Sequence, residues 1–173
     1  FSPDGETLMA VGPYQYVSFF SVEKRERIAE LGLDNIAVAG AWLPDSERVV
    51  VGKTNGTLES WHVPSAERIW SRVATRGEIT ALALRPGTPE IFVATSSGVL
   101  DRPFSVVDGK RGNLHSTGWE GGRPRVTSMA FSPDGSRVAF ATKQGNILNL
   151  QPGSMVSAKR IHSHEGAIRG VAF

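Results

Sequence analysis

The chain has 173 residues, no cysteine, and a net charge of +2 from 19 basic and 17 acidic residues. A hydrophobic content of 40% makes disorder the wrong starting point, and the missing thiols exclude disulfide scaffolds, Cys-bearing zinc sites and thiol nucleophiles. Two surplus charges fall short of a nucleic-acid binder's field, and no apolar run approaches the ~18 residues that would make a membrane partner.

In chain order, Phe1-Ser2-Pro3-Asp4-Gly5 reads as a turn after an apolar strand. Pro presets φ, Asp caps the turn and Gly accepts a positive φ. Residues 22–31 come nearest to a helical period, yet Glu23-Lys24-Arg25-Glu26 reads better as a charged hairpin turn before a strand at 27–31. Trp42-Leu43-Pro44-Asp45-Ser46 repeats the opening turn. An apolar strand at 48–52, a tight turn at Asn55-Gly56, an alternating strand at 57–61 and a more polar one at 68–73 follow. An apolar strand at 78–84 then leads into Leu84-Arg85-Pro86-Gly87-Thr88, a strand at 91–95, a turn at Ser97-Gly98 and a polar strand at 113–117. The last copy, Phe131-Ser132-Pro133-Asp134-Gly135, precedes strands at 138–142, 146–150 and 159–163, with a turn at Gln144-Gly145. An apolar strand is expected at 167–173.

The turn copies recur at intervals of 41, 42 and 47 residues, and 42 more lead to Phe173. This divides 1–173 into units 1–41, 42–83, 84–130 and 131–173, with the period of roughly 40–45 residues of a four-stranded propeller blade. Sixteen short strands without a helix make the chain all-β.

These residues resemble the WD40 (WD-repeat) β-propellers. The most specific stretch is His164-Glu165-Gly166-Ala167-Ile168-Arg169-Gly170-Val171-Ala172-Phe173, which is similar to the family's entry into a blade, and the Phe-Ser-Pro-Asp-Gly copies match the turn after it. The repeats are degenerate. The Trp-Asp pair falls at Phe20-Ser21, Trp61-His62, Pro103-Phe104 and Leu150-Gln151, and the acidic turn residue becomes Tyr14, Asn55, Ser97 and Gln144. The family's buried His–Ser/Thr–Asp–Trp network is incomplete in every unit, so blades held mainly by apolar packing and strand pairing are expected. The phase begins after an inner strand and ends on one. It favours half of a seven- or eight-bladed ring, cut from a longer protein or self-associating, over a closed four-bladed ring.

The resemblance implies a non-catalytic interaction scaffold with protein partners on the rim face, no cofactor and a cytoplasmic setting. The alternative is a propeller of the Tol-type periplasmic or prolyl-oligopeptidase type, gating a separate catalytic domain. Rim candidates are Asp34, Arg76, Arg123, Arg125, His162 and Trp119, the last in the Gly-rich stretch Gly118-Trp119-Glu120-Gly121-Gly122-Arg123. An exposed Trp beside Arg has hot-spot composition. Arg72, Arg76, Arg123 and Arg125 read as scattered solvated charge before they read as a nucleic-acid edge.

Other motifs take plain readings. Gly52-Lys53-Thr54 echoes a phosphate-binding loop, but position 47 is Glu47 and a strand follows, so it reads as a hairpin turn. His162, His164 and Glu165 make a weak metal set without a third distant ligand, and His164 reads as structural. No Gly-x-Ser-x-Gly occurs, and Asp4, Asp45 and Asp134 sit where capping explains them. Asn55-Gly56-Thr57 fits a glycosylation sequon. Trp42 and Trp61 are expected in the core, whereas Trp70 fits core or surface.

Overall fold

The computed structural model describes residues 1–99, 102–113, 124–152 and 159–173, which form two compact units, Phe1–Ile79 and Thr80–Phe173. The described residues form strands and no helix, so none is long and apolar enough to cross a membrane.

In the first unit, β1 (Thr7–Val11), β2 (Tyr16–Ser21) and β3 (Arg27–Gly32) form a three-stranded antiparallel sheet. The charged segment before β3 is a turn, with Arg25 at φ 56°. Next, β4 (Ala37–Trp42), β5 (Arg48–Lys53), β6 (Thr57–His62) and β7 (Glu67–Val73) form a four-stranded meander. Strand alternation sends Val17, Phe19 and Leu31 from the first sheet against Ala37, Val49 and Val51 of the second. Phe19 meets Trp42 edge-on, with centroids 5.5 Å apart. A Cβ on Gly40 would stand 2.6 Å from the Met9 side chain, so Gly lets the two sheets approach.

In the second unit, β8 (Ile79–Leu84) pairs with β9 (Glu90–Thr95). On its other side β9 pairs with β10 (Gly98–Val99) and β11 (Phe104–Ser105), so the third strand position is split. A bridge from Phe104 to Arg111 marks a fourth, and the strand expected at 113–117 lies outside the described residues beyond Asn113. Then β12 (Val126–Phe131), β13 (Val138–Thr142), β14 (Asn146–Leu150) and β15 (Lys159–Ser163) form another meander. Phe92, Ala94, Val126, Met129, Val138 and Phe140 pack together, with Phe131 edge-on to Phe92 at 5.0 Å.

The repeated turn folds as its chemistry dictates. Ser132 N–H donates to Arg137 O at 2.9 Å and Gly135 N–H to Ser132 O at 2.8 Å. Asp134 accepts from the hydroxyls of Ser132 and Ser136 and the Ser136 amide. Ser2, Asp4 and Gly5 repeat the pattern. Gly5, Gly87 and Gly135 all have φ near +70°, and in the second copy Ser46 takes φ 59°.

Two expectations need correction. Residues 167–173 are not a strand. Among the described residues no neighbouring strand completes a ladder there, and the backbone is instead held from β12. Thr127 Oγ1 donates to Ile168 O, and Val171 N–H donates to Ser128 Oγ at 3.2 Å. Trp42 and Trp61 are only half-buried at the margin of the first core, while Trp70 on β7 is the buried indole.

Candidate functional site: rim loops and a buried charge cluster

In the first unit, three connections meet at one end: loop 33–36, turn 54–56 and loop 74–78. Thr54 Oγ1 donates to Asn35 Oδ1 at 2.6 Å, and Thr54 N–H donates to Ile36 O at 3.0 Å. Ala74 and Thr75 amides donate to Gly56 O at 3.0 and 3.3 Å. Gly56, at φ 80°, is required here: a Cβ would lie 2.1 Å from Thr75 O. This end carries two of the anticipated residues, Asp34 and Arg76, both exposed.

Beneath Asp34 lies a feature that the sequence reading missed. Lys53 ends β5 with its side chain 1% exposed. Its ammonium donates to Asp34 Oδ1 at 2.5 Å and lies 2.9 Å from Glu59 Oε1, and Glu59 is also 1% exposed. Arg68 donates to Glu59 Oε1 at 2.9 Å, and the Trp61 indole donates to Oε2 at 3.2 Å. The Arg68 guanidinium stands 5.8 Å from the Trp61 ring centroid. The Lys53 hydrogen bond, outweighing desolvation, holds the Asp34 carboxyl below its ordinary range. Two buried charges persist because each has a charged partner and further hydrogen bonds. In β4–β7 this charge cluster adds to the apolar packing and strand pairing expected to hold the blades. Alternation carried the signal: Lys53 and Glu59 share the inward face with Val49 and Val51.

The second unit repeats the rim geometry with other chemistry. Lys143 N–H donates to Arg125 O at 2.9 Å, and His164 N–H donates to Gly145 O at 2.7 Å. Gly145, at φ 82°, is crowded as Gly56 is, with a Cβ position 2.2 Å from His164 O. At the place of Lys53 stands Thr142, fully buried, whose Oγ1 donates to Asn146 O and accepts from Asn146 N–H. Arg125 is half-buried beside this rim. His162 lies within β15, exposed, its ring 4.6 Å from that of His164. Trp119 and Arg123 lie outside the described residues. No group of three His, Asp or Glu side chains able to hold a metal occurs among the described residues.

Asp45, Asp108 and Asp134 act as turn caps. The Ser132 hydroxyl, then the amide and hydroxyl of Ser136, lower Asp134 to about 2. The Lys110 side chain and amide do the same for Asp108, also to about 2. Burial opposes ionisation of Asp45, but Arg48 and the amides of Arg48 and Glu47 outweigh it, leaving a lowered value.

No family model matches the chain. It is 20% identical over 170 residues to Protein FIZZY-RELATED 1 of Arabidopsis thaliana, covering 97% of this chain and 34% of that protein. It is 27% identical over 142 residues to the human angio-associated migratory cell protein, covering 80% of this chain and 31% of that one. The chain thus spans about a third of the length of these curated relatives, both WD40-repeat proteins. Successive antiparallel meanders, the recurring turn chemistry and these similarities are consistent with degenerate WD40-type β-propeller blades.

Proposed function

We propose that the chain is the propeller segment of a non-catalytic interaction scaffold within a larger cytoplasmic protein, and that it takes protein partners on its rim loops. The carrying observation is the way backbone hydrogen bonds hold connections from separate strand pairs together at one end of each unit. Loops fixed by a rigid sheet can present side chains with little ordering cost on binding. Asp34 and Arg76 offer opposite charges in the first unit; Arg125, Trp119 and Arg123 are the contacts we assign in the second, while His162 stands on β15. The WD40-type relatives support the scaffold reading.

Cross-linking mass spectrometry in cells tests this. Arg76→Glu and Trp119→Ala should each leave the melting temperature unchanged and remove the cross-linked partners. Partners retained by both variants would overturn the reading.

A further inference from the structure

Three outer strands, β3, β7 and β15, each carry one residue more than the strand they pair with. The register steps from Phe19↔Ala29 to Phe20↔Arg27, from Ser60↔Trp70 to Trp61↔Arg68, and from Ile147↔His162 to Leu148↔Arg160. The extra residue is each time an Ile preceded by an Arg. Ile28, Ile69 and Ile161 are 48%, 44% and 61% exposed. A bulge on an edge strand re-aims its side chain and increases local twist.

Two of these strands are anchored. In β3, Leu31 is buried and Arg27 pairs with Glu30 at 2.6 Å. In β7, Trp70 is buried and Arg68 pairs with Glu59. In β15 all five residues are exposed. Neither Lys159 nor Arg160 has an ion-pair partner among the described residues. The charge along the strand has one sign, and His162 extends the polar face.

We propose that β15 is a docking edge for an extended acidic segment of a partner protein. Such a segment would pair with the outward N–H and C=O groups of β15 and set its carboxylates on Lys159 and Arg160, with an apolar side chain against Ile161. The cationic edge selects an acidic strand and speeds its encounter. A nucleic acid could answer the charge but has no peptide backbone to join the ladder, so the acidic segment is favoured. This site is separate from the rim contacts, and either can fail without the other.

The test is fluorescence anisotropy of the full 173-residue chain with a labelled peptide of alternating Glu and Val. Binding should weaken with added salt. The Lys159→Glu/Arg160→Glu variant should lose at least about tenfold in affinity, with an unchanged circular dichroism spectrum. N-methylating alternate amides of the peptide should cost a comparable factor, and Arg27→Glu on β3 should cost nothing. Lack of binding by the Glu-Val peptide would overturn the proposal. So would equal binding by its N-methylated form, indifference to the double reversal, or binding of single-stranded polyuridine in preference to the peptide.

Discussion

Sheets β4–β7 and β12–β15 reach the same point at the end of their second strand with different chemistry. In the second unit, the hydroxyl of Thr142 closes the turn within its own sheet through Asn146, and Leu148 fills the inward position on the next strand. In the first unit, Lys53 and Glu59 occupy those two places, and the charge is balanced from outside the turn by Asp34 and Arg68. The comparison teaches that this position tolerates a buried cation when two neighbouring elements supply anions. It also ties loop 33–36 to β5, so the exposed rim residue Asp34 is held by a buried one. The rim of the first unit is electrostatically clamped, whereas that of the second rests on neutral bonds.

The largest expected effect breaks this difference. Lys53→Met leaves Glu59 buried with part of its partner set gone and should cost about 3–5 kcal/mol. Lys53→Thr combined with Glu59→Leu installs the second unit's solution and should recover most of that loss. Urea unfolding of the single and double variants measures both, and a double variant as unstable as the single would show that the charges do more than replace a neutral pair.

A second test asks what the two rims share. Gly56→Ala and Gly145→Ala each place a Cβ near 2 Å from a carbonyl oxygen in a left-handed conformation. Each should cost at least about 2 kcal/mol. Thermal melts that fall in one variant and not the other would show that the equivalent glycines are not equally constrained.

The smallest effect concerns pH. Asp134 and Asp108 have folded-state values of about 2, below the ordinary 3.8. Their ionised forms therefore contribute stability that is fully present above about pH 4 and is lost as pH falls toward 2. Melting temperature should drop across that window, and Asp134→Asn should make the drop shallower. An unchanged slope would remove Asp134 as a contributor.

Much of the fold was legible because turn chemistry is local. Pro-Asp-Gly and Asn-Gly fix backbone angles with their own side chains, so the copies at Phe1, Trp42, Leu84 and Phe131 marked the blades. The extra length of the third unit was visible as a longer interval, but the split of its third strand into β10 and β11 was not. The rim was readable as a set of loops, because strand order alone puts 33–36 and 74–78 before inner strands. Which side chains it presents was less so. His162 was expected both near the rim and in the strand at 159–163, and it lies in that strand, which runs to Ser163. Trp70 fitted core or surface by its outer strand and is buried by its neighbours.

The sequence by itself determined the all-β class, the blade period, the repeated turns and the glycines they need, because each depends on residues within a few positions of one another. Tertiary structure alone decided the pairing of Lys53 with Asp34 and Glu59, the bulges at Ile28, Ile69 and Ile161, and the exposure of β15. Those depend on what lies across a ladder or on the next sheet. A partner 19 residues away for Lys53, or none among the described residues for Lys159 and Arg160, leaves no local pattern for a linear reading to find.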